Sequence, residues 1–363
     1  MRNIKWLVPL VVVLMLAGLG CERKITGDVE QADINSEGCF VCHAGYLDQA
    51  QGEWANSIHA SGNQVDYTNR GGTNCTRCHN QQGFIQFLET GTLPDEPFAN
   101  VSAIGCFTCH NPHETNTMEL RTETPYTLEN GDVFDHGKGN LCVNCHHARI
   151  SAGSITDNQV VTSRFGPHYS PQGDMINRSN GYEFPGLSYV FLTSPHANQV
   201  RDACAGCHMG NVRTHEGYDV GGHSFNMVSP IDEEVTQAPY CATTNCHPGV
   251  TELDFTDEDS RDFDNDGEVE GYQSEFEGLV DSLREVLYAA GMVNSSGTPV
   301  ADTIADKHAA GALYNFVLAE EDQSKGVHNF KYIRTLLEAS IDYINGLATV
   351  GPAPKRIAML TNH

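Results

Sequence analysis

Two stretches in the last quarter of the chain carry a helical period. In "FEGLVDSLREVLYAAG" the apolar residues Leu279, Leu283, Val286 and Leu287 fall on one stripe, and in "YIRTLLEASIDYI" Ile333, Leu336, Leu337, Ile341 and Ile344 do the same. Both stretches therefore predict amphipathic helices, and such helices need a partner surface to bury their stripe. At the other end, Leu7 to Leu19 form an uncharged apolar run behind Arg2 and Lys5. That run is shorter than the roughly 20 residues a membrane-spanning helix needs. Between the two ends the chain promises short helices joined by much irregular loop, which makes the fold class mainly α.

The N-terminal run reads as an export signal over residues 1–20, ending in small residues and a cysteine, "LAGLGC". Cleavage before Cys21 would leave that cysteine as the lipidated first residue of a lipoprotein; Gly18 stands where such signals usually carry Leu, and ordinary cleavage nearby is the alternative. No later segment is apolar enough to span a bilayer, so membrane contact is expected only through a lipid anchor. The expected location is the periplasm or the cell surface, on the outer membrane.

Composition sharpens this. Of 363 residues only 39% are hydrophobic and 8% aromatic, a thin supply for an ordinary core. There are 13 cysteines, twelve of them between Cys39 and Cys246, so something other than apolar side chains is expected to fill that region. The net charge of −26, from 47 acidic against 21 basic residues, excludes nucleic acid as a partner, because the phosphates would be repelled.

The cysteines are patterned. "CFVCH", "CTRCH", "CFTCH", "CVNCH" and "CAGCH" pair Cys39 with Cys42, Cys75 with Cys78, Cys106 with Cys109, Cys142 with Cys145 and Cys204 with Cys207, each pair followed at once by a histidine. "CATTNCH" adds Cys241 and Cys246 with a longer gap. First cysteines at 39, 75, 106, 142, 204 and 241 recur mostly every thirty-odd residues, a repeat architecture. C-x-x-C-H is the attachment sequence of c-type haem, in which two thiols add to the vinyl groups and the histidine binds iron. Zinc knuckles or a disulfide scaffold would not require a histidine after every second cysteine. In "CATTNCH" the adjacency of Cys246 and His247 is intact, so the extra residues only loop out the link to Cys241. Six haems follow, with His43, His79, His110, His146, His208 and His247 as proximal ligands; a Cys241 to Cys246 disulfide is the alternative for the last.

Over residues 36–250 these motifs resemble the multihaem c-type cytochromes, exported electron carriers best known from metal-reducing and anaerobically respiring bacteria. The chain has 17 histidines, enough for a second imidazole on every iron. His113, in "CHNPHE", is too near His110 to reach the same haem and resembles a ligand serving a neighbouring one. His59 in "EWANSIHA" is similar to a stretch that often precedes an attachment motif, and His196 in "SPHANQVRDAC" is placed alike. His168 and His223 follow turn-forming residues, and His328 stands at the start of the last helix. These six are the expected distal ligands. His147 follows a proximal ligand directly and is expected at the surface or facing a propionate; His136, His215, His308 and His363 are left without iron.

Beyond residue 250 the composition turns acidic. Over 251–275, Asp262, Asp264, Asp266 and Gly267 match the first half of an EF-hand calcium loop, with Gln273 where a bidentate Glu belongs and Glu270 or Glu275 available to complete the site. A solvated linker is the alternative. Residues 276–363 form the helical segment expected to pack on the haem region. The resemblance implies electron transfer in anaerobic or extracellular respiration, with redox proteins or an extracellular electron acceptor as partners. Two rivals stay open: a multihaem reductase for nitrite, hydroxylamine or a sulfur oxyanion with one open-faced haem, against which no C-x-x-C-K motif is present, and a subunit polymerising with its own copies into a haem filament.

Overall fold

The computed structural model describes residues 45, 47–115, 117–243 and 246–346, all within one compact unit. Cys21, Cys39, Cys42, His43 and His363 lie outside the described residues. Among the described residues there are five helices of eight or more residues: α1 (Asp48–Ala55), α2 (Gln81–Thr90), α3 (Tyr272–Ala289), α4 (Lys307–Asp322) and α5 (Phe330–Ile344). The strands among the described residues are two or three residues long and pair as antiparallel ribbons: β1 (Tyr126–Thr127) with β2 (Val133–Phe134), β3 (Gln159–Val161) with β6 (Asp302–Ile304), and β4 (Arg213–His215) with β5 (Tyr218–Val220). The rest is turn and loop, so the chain is helix-rich and irregular.

The helices start where side chains can satisfy free backbone amides. Asn80 accepts from Gly83 N–H at α2, Asp306 from His308 N–H at α4, and Asn329 from Tyr332 N–H at α5. The α3 and α5 stripes turn inward into a core they share with α4: Leu279, Leu283, Leu287, Ile333, Leu336 and Leu337 are all buried. Helix α4 is buried nearly all round, through Ala310, Leu313, Tyr314, Phe316 and Leu318.

This core also takes in Ile155, Val161, Phe165, Met175 and Tyr189, from the long interval between the fourth and fifth motifs. The β3–β6 ribbon ties that interval to the helices: Val160 pairs with Thr303. The described residues of 45–127, by contrast, contribute only Val65 and Phe84 to the buried apolar set. The motif region is built with little apolar side chain of its own. No described helix is long and apolar enough to cross a membrane.

Candidate haem-binding site

The second to fifth attachment motifs fold as single helical turns. Positions i, i+3 and i+4 share one face of a helix, so one turn aims both thiols and the histidine the same way. His79 N–H donates to the Cys75 carbonyl at 3.2 Å, and His110 N–H to Cys106 and His146 N–H to Cys142 at 2.9 Å each. Cys204–His208 is itself one such turn. The longer motif begins at the end of a helix, Ala238–Thr243, and resumes at Cys246. Burial pushes the Cys109 and Cys207 thiols up to about 11, so both are uncharged, as the thioethers replacing them would be.

The histidines meet in pairs drawn from distant parts of the chain. His59 faces His146 with ring centres 6.1 Å apart, and His79 faces His168 at 6.3 Å. His110 faces His223 at 6.5 Å, His247 faces His196 at 6.0 Å, and His208 faces His328 at 6.4 Å. Each pair joins one proximal histidine to one of the expected distal set. An imidazole nitrogen sits about 2 Å from a bound metal with its ring centre roughly 1.2 Å further on, so two imidazoles on opposite sides of one ion have centres about 6.4 Å apart. The five separations fit that figure, and the turn geometry of the motifs fits covalent attachment. His113 packs against Phe107, with ring centres 5.3 Å apart.

Burial lowers His59 and His208 to about 4 and also lowers His79, His110, His146, His168 and His196. They are therefore neutral, the form that offers a nitrogen lone pair to a metal. His328 departs from the pattern: burial pulls it down, but the adjoining Asp322 carboxylate outweighs this and raises it.

Surrounding groups hold the rings. The Nδ1 of His110, His196 and His208 lies 2.8, 2.8 and 2.9 Å from the carbonyls of Met118, Val327 and Phe225. His146 Nδ1 lies 3.2 Å from Gln172 Oε1, and the Gln172 amide donates to the carbonyls of Glu321 and Asp322 at the end of α4. His168 sits at φ +78°, and Tyr169 N–H beside it donates to Glu321 at 2.7 Å. Gly166 permits this approach, because a Cβ there would lie 2.3 Å from Val317 of α4. Residues 321–328 thus position imidazoles of four pairs, which explains why the C-terminal helices belong with the motifs.

Two carboxylates reach distal rings. His328 Nδ1 is 2.7 Å from Asp322 Oδ1, and His223 Nδ1 is 3.3 Å from Glu53 Oε2, which also accepts from His223 N–H. Neither acid stands out in the sequence, since both look like members of a large acidic surface. His147, expected at the surface or facing a propionate, is not at the surface but buried: its Nδ1 meets the Val143 carbonyl at 2.8 Å and its Nε2 the Tyr126 hydroxyl at 3.3 Å. A one-turn helix points consecutive side chains about 100° apart, so with His146 aimed at its partner His147 is directed into the protein. His308 bonds the Tyr182 hydroxyl at 2.9 Å, His215 pairs with Asp232 at 3.3 Å, and His136 lies 3.4 Å from Asn177.

In the acidic loop, carboxylate oxygens of Asp262, Asp264 and Glu275 lie within 4.8 Å of one another, as do those of Asp264, Asp266 and Glu270. Buried Glu275 accepts from the amides of Phe263 and Glu270, and Gly267 makes the turn at φ +104°. Asp262 Oδ1 is buried without a hydrogen-bond partner.

No family model matches the chain. The chain is similar to the C-type polyheme cytochrome OmcB of Geobacter sulfurreducens, 24% identical over 342 residues that cover 77% of this chain and 44% of that protein. It is similar to OmcC of the same organism, 23% identical over 71% of this chain and 38% of the relative. The chain thus spans less than half the length of these relatives. Among solved structures, the outer cell wall cytochrome OcwA superposes with a TM-score of 0.45 at 19% identity, over 80% of this chain and 49% of that one. The repeated attachment motifs are those of multihaem c-type cytochromes, and the relatives that the chain resembles are named polyheme c-type cytochromes, which supports haem c as the group the motifs hold.

Proposed function

We propose that the chain holds six covalent haems, each between two histidines, and serves as an electron carrier. The observation that carries this reading is the set of five imidazole pairs at 6.0–6.5 Å. The sixth proximal ligand is His43, and His113 is the distal candidate that remains for it. A bound haem supplies a one-electron iron couple. With haem bound, each pair of imidazoles would hold the iron from both sides, which would leave no face for a substrate, would let electron exchange proceed with little rearrangement, and would favour lower potentials than a His and Met set.

Attachment points crowd together. Cys78 hydrogen bonds with Cys145 and Cys204 with Cys142, and Cys207 lies within electrostatic reach of Cys241 and Cys246. Motifs two, four, five and six are thereby consecutive neighbours, the closeness that exchange between carriers requires. Porphyrin filling the motif region accounts for its shortage of apolar core. Assembly outside the cytoplasm, a lipid anchor at Cys21, and redox proteins or an extracellular acceptor as partners complete the reading. The acidic loop is read as a calcium site using Asp262, Asp264 and Asp266. Ferric-state EPR of the purified holoprotein tests the ligation: all haems low-spin is the expected result, and a stoichiometric high-spin signal would instead indicate a reductase.

A further inference from the structure

Among the axial rings whose Nδ1 partner is given above, four face a neutral oxygen and two face a carboxylate. The two exceptions are buried. Asp322 has a side chain only 3% exposed and Glu53 one of 6%, and each is held in place by further bonds. The second oxygen of Asp322 accepts from the Ser324 hydroxyl, whose oxygen also accepts from His328 N–H at 3.2 Å. Glu53 Oε1 accepts from Gln49 at 2.8 Å, while Trp54 beside it donates to the Ile104 carbonyl and ties α1 to the third motif. Gly222 leaves room for the acid, because a Cβ there would lie 2.4 Å from Glu53 Oε2.

A carboxylate accepting from Nδ1–H makes the imidazole a stronger electron donor through its other nitrogen. It also places a fixed negative charge, poorly screened because it is buried, beside a centre that gains positive charge when oxidised. Both effects stabilise ferric over ferrous iron. A neutral carbonyl or amide oxygen has only a weaker form of the first.

We infer that Asp322 and Glu53 are potential-setting residues, which make the haems of the fifth motif (His208 with His328) and of the third motif (His110 with His223) the low-potential members of the set. The shorter contact of Asp322 gives the fifth motif the larger displacement. This rests on the paired-histidine ligation proposed above. The carrier is then uneven along its length: an electron entering it rests on the other haems, and the fifth motif, between the fourth and the sixth, is a step the electron crosses instead of a place where it stays.

Spectropotentiometric titration of the holoprotein tests this with D322N, D322E and E53Q. In D322N one haem's share of the titration amplitude is expected to move positive by at least tenfold in its redox equilibrium constant, about 59 mV for a one-electron couple. D322E, which keeps the charge, should restore most of the wild-type curve, and E53Q should move a different share by less. A D322N curve that superimposes on wild type while EPR stays low-spin overturns the inference. If D322N loses haem or turns high-spin, E53Q decides by the same two outcomes. High-spin haem in the wild type would contradict the ligation itself, and that result is distinct from an absent shift.

Discussion

His59 offers a demanding perturbation, because it precedes the second motif in sequence yet faces the histidine of the fourth. In H59A the ring 6.1 Å from His146 is removed, along with its edge contact to Phe225 at 5.0 Å. Truncating a side chain of this size in a packed site costs roughly 2–5 kcal/mol, a cost that any buried residue would incur. What separates a ligand from a packing residue is the iron spin state. One haem per chain, the fourth, should become high-spin, about a sixth of the total under the six-haem reading. H147A is the control: it removes the neighbouring ring, which is just 1% exposed and bonded to Val143 and Tyr126, and should lower stability with no change in spin. The assay is quantitative EPR on both variants, with thermal unfolding alongside. An H59A protein that keeps every haem low-spin, or an H147A protein that gains a high-spin signal, would refute the pairing.

Other consequences follow from the same structure. C241S should yield holoprotein in which a fraction of molecules lacks one haem by intact mass, whereas an unchanged count would favour the disulfide alternative. L283A, at a fully buried position of α3 in the shared helical core, should cost about 3–5 kcal/mol by denaturant unfolding while haem spectra are retained. Burial raises Asp174 to about 7 against an ordinary 3.8, so between those values the folded state binds the extra proton. Stability from this group is therefore present at low pH and is lost as pH rises through about 7, by an amount of order a few kcal/mol. D174N should flatten the fall in stability between about pH 4 and 7, measured by unfolding at each pH, and an unchanged slope would count against the assignment. Chelation with EGTA should lower the melting temperature and D264N should abolish that difference; a melting temperature indifferent to chelator would leave the acidic loop a solvated linker.

Much of this was legible because it is local. A C-x-x-C-H string specifies its own geometry, since one helical turn aligns its three reactive side chains, and the stripes of α3 and α5 announce their buried faces. Helix α4 was not legible: "AAGALYNFVLA" is buried on all sides and carries no stripe to count. The joining of histidines from separate repeats was equally hidden, because tertiary contacts make it. Nothing in "GEWANSIH" indicates that Glu53 holds His223, and nothing in "EEDQSKGVH" distinguishes Asp322 from the acids around it. The ligand types could be named from their settings, but their partners are set by where α1 and the 321–328 connection come to rest.

The intact mass of the mature holoprotein tests the central claim most directly. The account predicts a chain carrying six covalent haems; a mass corresponding to five or fewer, with the "CATTNCH" thiols free or joined to each other, would contradict it.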